Sequence, residues 1–236
     1  MTTPALDPMP FGDHVAELRV RLFRALLAIG LAWGLAFVFH RSLLAWLLMP
    51  AGDIPFIATA PAETFLATLR VTLHAALILA YPMVAREVAR FVGPGLLPAE
   101  RRALVPLLVG AAVLFTVGAL FAYSVLLPAG IHFLRAFGPD SIHPMWSVGT
   151  YLAFASGICF VTGVVFQLPL VLVAAALARL VTVEQLMSVR RVAWMGGLAI
   201  GAIASPSADL FSQTILGCAL VGLYEFSILV IRFVTR

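Results

Sequence analysis

The sequence predicts an all-α integral membrane protein: one polytopic domain over residues 1–236, with six transmembrane helices and both termini in the cytoplasm. Three observations carry that expectation. The composition is 62% hydrophobic and only 11% charged, with a mean hydropathy of +1.06; a soluble domain of this size holds about 25% charged residues, so most of the surface is suited to lipid. The apolar residues gather into six runs, roughly 22–39, 71–89, 104–128, 151–178, 192–204 and 210–231. The cationic residues, all of them arginine, divide unevenly between the intervening segments.

The first run follows about twenty polar and turn-rich residues, without the short apolar core and small-residue cleavage site of a signal peptide, and is expected to be a retained span. Its entry, "GDHVAELRVRL" over 12–22, predicts a helix capped by Asp13. The third and fourth runs carry no charge and exceed the roughly 20 residues that cross a hydrocarbon core. The fourth, at 28 residues, would reach about 42 Å as one helix, and Pro169 supplies a kink that shortens it. The fifth, "VAWMGGLAIGAIA", spans only about 20 Å. It is either a short crossing that thins the bilayer or half of a re-entrant hairpin with the sixth. The link "SPSAD" stops one helix at Pro206 and offers Ser207 or Asp209 to cap the next, so the two are antiparallel neighbours. Two short crossings are the preferred expectation.

With the N-terminus inside, Arg19, Arg21, Arg24, Arg86, Arg90, Arg101, Arg102, Arg179, Arg190, Arg191, Arg232 and Arg236 fall on the inner side, against Arg41, Arg70 and Arg135 outside. Twelve against three orients both termini inward. The outer segments are then 40–70 and 129–150, and "RSLLAWLLMP" between Arg41 and Pro50 predicts a short helix along the outer interface.

Several function classes find no support. Although the pI is near 9.7, the arginines lie between apolar runs and form no patch with aromatics, so membrane orientation accounts for them better than nucleic acid. There is no H-E-x-x-H, no G-x-S-x-G and no Gly-rich phosphate loop. The five histidines, His14, His40, His74, His132 and His143, show no metal-ligand spacing. Asp209 has no second intramembrane aspartate for a protease dyad. Cys159 and Cys218 fall inside apolar runs and are expected to be small buried hydrophobes. No catalytic residue, metal or cofactor is expected.

Polar groups within spans are costly and face protein or water. Gln167 lies mid-way through the fourth run and is expected to bond another helix, with ligand binding the alternative. Glu225 lies late in the sixth. Gln213, with Ser212 and Thr214, opens the sixth as either a helix-end residue or a contact to another helix. Glu17 and Arg21 are four apart and pair on one helical face, and Glu100 beside Arg101 and Arg102 reads as a solvated acid in a loop or first helical turn.

Taken in order, these residues resemble the TatC family, the receptor subunit of the twin-arginine protein translocase. His14, Glu17, Leu18, Arg19 and Arg21 fit H-x-x-E-L-R-x-R; Phe91, Pro94, Leu96, Glu100, Arg101 and Arg102 fit F-x-x-P-x-L-x-x-x-E-R-R. Phe115, Gly118, Phe121, Tyr123 and Pro128 follow the family's third span, and Ser205, Pro206, Asp209, Ser212 and Gln213 its Ser-Pro turn and Ser-Gln end. The chain departs at Phe166-Gln167-Leu168-Pro169, where the family usually has Phe-Glu-x-Pro.

The resemblance implies a receptor in the bacterial cytoplasmic (inner) membrane that binds twin-arginine signal peptides of folded proteins at the cytoplasmic face. It implies that Glu17 and Glu100 recognise the leader's paired arginines, with Arg19, Phe91 and Arg102 around them, since a guanidinium fork pairs bidentately with a carboxylate and lysine does not. Exposed ion pairs contribute only about 0–1 kcal/mol each, so the leader's apolar segment is expected to pack in a groove lined by Phe91 and third-span residues. The resemblance further implies an oligomeric complex, small single-span partners of the TatA and TatB type docking at the fifth and sixth helices around Gln213, Ser205 and Asp209, and transport driven by the proton-motive force. A small secondary transporter with Gln167, Glu225 and Asp209 along a polar path is the alternative from another class. It lacks the matching broken helices of inverted repeats.

Overall fold

Inside a bilayer every backbone polar group must find its partner within the chain, and the protein meets this with helices. The structure, a computed structural model, describes residues 11–92, 98–136, 145–204 and 210–234. In chain order the helices are α1 (Phe11–Val38), α2 (His40–Leu48), α3 (Glu63–Val92), α4 (Pro98–Phe121), α5 (Leu127–Ala136), α6 (Val148–Val165), α7 (Leu168–Leu177), α8 (Val183–Ser188), α9 (Arg190–Ala204) and α10 (Leu210–Val234). Five stretches are long and apolar enough to cross a membrane: His14–Val38, Glu63–Phe91, Val105–Ala136, Val148–Leu177 and Ser212–Phe233. Helix α9, at 15 residues, reaches only about 22 Å.

The helices form an open row. α1 packs chiefly against α3, which also meets α4 and α6; α7 leads to α10, and α10 carries α9 at the far edge. Along α3 the buried small residues Thr68, Thr72, Ala76 and Ala80 recur every four positions, one helical face. Small side chains allow the close approach on which helix association in lipid depends. The Trp33 indole of α1 donates to Thr72 Oγ1 at 3.1 Å.

The long apolar runs are interrupted where their prolines require it. α6 ends at Val165 and α7 begins at Leu168, with Pro169 in its first turn, so the fourth run is two helices joined at Phe166 and Gln167. Between α4 and α5 a π-turn over Ala122–Leu126 lets the Leu127 N–H bond Ala122 O, one residue further back than an α-helix would; Pro128 lacks the N–H that α geometry would use next. Gly118 lies where α4 crosses α6: a Cβ there would stand 2.7 Å from the Phe166 ring and 2.9 Å from Thr162 O. Gly201 plays the same part between α9 and α10, where a Cβ would meet Gly217 N at 2.6 Å.

One end of the row is capped. A core of Leu47, Ile54, Val71, Leu126, Leu152 and Leu216 joins α2 and the connection after it to α3, α6 and α10. Tyr151 and Tyr123 donate to the carbonyls of Leu47 (2.8 Å) and Trp46 (2.9 Å) at the end of α2. A two-residue parallel pairing sets Phe56 opposite Trp146. The Glu63 carboxylate, opening α3, accepts from Ser147 Oγ, Thr59 Oγ1 (2.6 Å) and Gly149 N (2.7 Å), tying the starts of α3 and α6 together.

Four expectations are corrected. α1 already runs from Phe11, so Asp13 lies within the helix and not at its cap. The third run continues through α5 to Ala136, because the π-turn absorbs Pro128 without ending the helix, so 129–136 is not loop. α10, at 25 residues and about 37 Å, is not short: it runs three residues past the apolar run, to Val234, and carries Glu225 within it as a paired acid. Cys159 is buried but Cys218 is exposed, on a face of α10 that no described helix covers.

Gly118→Val should overpack the α4–α6 crossing and cost about 1–3 kcal/mol, read as a fall in the thermal unfolding midpoint of the detergent-purified protein; an unchanged midpoint would show that the crossing relaxes freely.

Candidate functional site

The end opposite the cap gathers the start of α1, the ends of α3, α7 and α10, and the start of α9. At its centre lies a cross-helix ion cluster. Arg21 of α1 donates from Nη2 to Glu17 Oε1, one turn back, at 3.0 Å, and from Nη1 to Glu87 Oε2 of α3 at 3.2 Å. Arg90 Nη1 stands 3.7 Å from the other Glu87 oxygen. The Glu87 side chain is 2% exposed, whereas those of Glu17 and Arg21 are each 21% exposed. An acid so fully removed from water is stable as an ion only with cations against it, and the two arginines supply them. The pairing expected of Glu17 and Arg21 is present, but it is half of a larger arrangement.

Glu87 is the residue that sequence reasoning missed. It sits inside an apolar run between Arg86 and Arg90, and the run's hydropathy hides it. Its spacing was the available signal: Glu87 lies seven residues beyond Ala80 and eleven beyond Ala76 and continues their face, so a lone acid there points at the neighbouring helix and needs a cation from it.

His14 stacks on Phe91 with ring centroids 4.4 Å apart, closing the start of α1 onto the end of α3. Arg19 is exposed on α1. Glu100, Arg101 and Arg102 fall in the first turn of α4, but their side chains lie outside the described residues, as do Pro94 and Leu96.

Beside this cluster runs an apolar groove of about 520 Å³ between α3, α4 and α7, lined by Tyr81, Val84 and Val88 of α3, Leu107 and Ala111 of α4, and Leu170 and Ala174 of α7, among others. The α3 positions Tyr81, Val84 and Val88 repeat at helical spacing, on the face next to that of Glu87. The expectation that third-span residues line a groove holds for Leu107 and Ala111. Phe91 does not line it, because its ring is taken by His14.

Gln167, at the α6–α7 break, is buried and donates from Nε2 to Ala111 O (3.2 Å) on α4 and to Gly163 O (3.4 Å). This is the interhelical bond expected of it. No described donor reaches its Oε1. Glu225 is paired: its Oε1 accepts from Arg190 Nε (2.6 Å) and Trp194 Nε1 (2.7 Å) of α9, and the Arg190 guanidinium lies 5.0 Å from the Trp194 ring centre. Gln213 is half-buried in the first turn of α10, at the capped end, with its carbonyl against Gly201. Ser205, Pro206 and Asp209 lie outside the described residues. Among the described residues no cluster of three or more His, Cys, Asp or Glu side chains is placed to hold a metal.

Comparison with known proteins gives a consistent result. A family model described as "Sec-independent protein translocase protein (TatC)" matches residues 13–218. A Synechocystis Sec-independent protein translocase protein TatC is 35% identical over 216 residues, covering 92% of this chain and 85% of that one. The Aquifex aeolicus protein of the same name is 33% identical over 234 residues, covering 97% of each. A solved structure of a twin-arginine translocase receptor, TatC, superposes with a TM-score of 0.79 at 34% identity, covering 94% of this chain and all of that one.

Proposed function

The chain belongs to the TatC family, a multi-pass inner-membrane subunit of the Sec-independent protein translocase, and on that footing we propose that it is the receptor that reads twin-arginine leaders at its Arg-rich end. The supporting observation is the partly exposed position of Glu17, set at the rim of that end and already carrying a guanidinium. A carboxylate that holds one guanidinium offers the same geometry to another. Glu100, in the first turn of α4 at the same end, supplies the second acid. Arg19 and Arg102 keep the surroundings positive, which repels basic ligands that bring no fork.

In this reading α9 is a sixth, short crossing, and the Arg-rich end with both termini faces the cytoplasm. The excess of arginine there agrees with the rule that cytoplasmic segments retain cationic residues. The apolar groove takes the leader's hydrophobic segment: it opens beside the ion cluster, and its walls are almost wholly apolar. The family is a transport family and not a catalytic one, and the driving force is the proton-motive force. Single-span partners of the TatA and TatB type dock at α9 and α10, where a short helix and the Gln213 amide present an incomplete surface; the family resemblance adds Ser205 and Asp209 to the same docking surface.

A synthetic twin-arginine leader should bind the detergent-solubilised protein while its twin-lysine counterpart binds at least ten-fold more weakly, about 1.4 kcal/mol. Ala174→Trp, which fills the groove, should weaken the full leader but not a short peptide lacking the apolar segment. Equal binding of both leaders would remove the receptor reading. Gln213→Leu should reduce recovery of the single-span partner on co-purification, and full recovery would place the docking surface elsewhere.

A further inference from the structure

The receptor reading leaves a buried ion pair without a task. Glu87 is hidden from any leader, yet it shares the guanidinium of Arg21 with Glu17, the acid assigned to the ligand. Each acid takes a single bond from that guanidinium, one from Nη1 and one from Nη2, and the buried Nε–H meets no acceptor among the described residues. Arg21 is therefore held by two separate contacts and not by a fork, the stronger arrangement available to it.

Resting on the reading of Glu17 as the recognising acid, we propose that Arg21 is an internal stand-in for the leader's guanidinium. It occupies Glu17 in the unliganded protein, and the buried Glu87 takes it over when a leader arginine claims Glu17. Once Nη2 leaves Glu17, the Nη1–Nη2 edge is able to close on both oxygens of Glu87. Arg90, already beside the other Glu87 oxygen, gives way or shares. The Arg21–Glu17 contact is broken, the leader's guanidinium pairs with Glu17 in its place, and the existing Arg21–Glu87 contact gains a second bond, so an arginine ligand exchanges at little cost. An ammonium offers Glu17 only a point contact in return for the single bond it displaces, where a guanidinium offers a fork, so the exchange sharpens the choice of arginine over lysine. Glu87 is thus a positioning and specificity-determining residue that never touches the leader.

Leader binding to detergent-purified variants tests this. Glu87→Gln leaves Arg21 only Glu17, and the twin-arginine leader should bind roughly ten-fold more weakly. The double variant Arg21→Met with Glu87→Met removes both the stand-in and its acceptor, and apolar replacement of a whole buried pair is commonly tolerated. It should bind the twin-arginine leader at least as tightly as the parent while the gap to the twin-lysine leader narrows. A purely structural pair would lower affinity for both leaders alike and leave the gap unchanged. Parent-like affinity in Glu87→Gln, or a double variant that keeps the parent's discrimination, overturns the proposal; if Glu87→Gln does not fold, the double variant decides alone. Glu17→Gln separates the two ideas: parent-like leader binding there removes the receptor reading itself, whereas loss of binding there with no response in the exchange variants removes only the stand-in.

Discussion

One guanidinium, shared between a partly exposed acid on α1 and a buried acid on α3, fixes the geometry on which the Arg-rich end depends. α1 is an edge helix: most of its surface faces outward, and its main neighbour is α3. Hydrophobic burial does little to orient such a helix in lipid, because the tails are as apolar as its side chains. Directional contacts must do it. Three are visible along the α1–α3 seam: His14 on Phe91 at one end, Arg21 on Glu87 about two turns of α1 further, and Trp33 on Thr72 toward the cap. The ion pair is the least dispensable, since removing either partner strands a charge out of water.

The two ends of the molecule are built differently, and the contrast follows from what each must do. At the capped end, tyrosine hydroxyls, a short strand pairing and the Glu63 carboxylate tie the described connections onto the helices. At the Arg-rich end the acids are balanced by arginines but remain partly open, and an apolar groove runs alongside. A firm cap lets the row of helices stand open at the other end without coming apart. Gly118 and Gly201 bring α4 onto α6 and α9 onto α10 closely enough for backbone contact.

The helical class, the break at Pro169, the antiparallel α9–α10 pair and the i, i+4 pairing of Glu17 with Arg21 were legible because each is a local matter of composition, proline chemistry or spacing. The long-range polar contacts were not. Glu63 finds Ser147 and Gly149 across 84 and 86 residues, and Glu87 finds Arg21 across 66; no short pattern links such positions. The run 210–231 already covers most of α10 and includes Glu225, which Arg190 neutralises; the helix reads as short only by association with the 13-residue fifth run, whereas 22 residues suffice to cross a bilayer. Phe91 was placed in the groove on resemblance alone. Its stacking on His14 depends on the angle between α1 and α3, which sequence does not state.

The central claim is that Glu17 itself reads a guanidinium, and a double-mutant cycle addresses it most directly. Leader affinity is measured for the parent and for Glu17→Gln, each with the twin-arginine leader and with a leader whose arginine is replaced by lysine. If Glu17 is the reader, the lysine penalty seen in the parent collapses in Glu17→Gln, because the group that distinguished the two cations is gone. A penalty of the same size in both proteins would contradict the account.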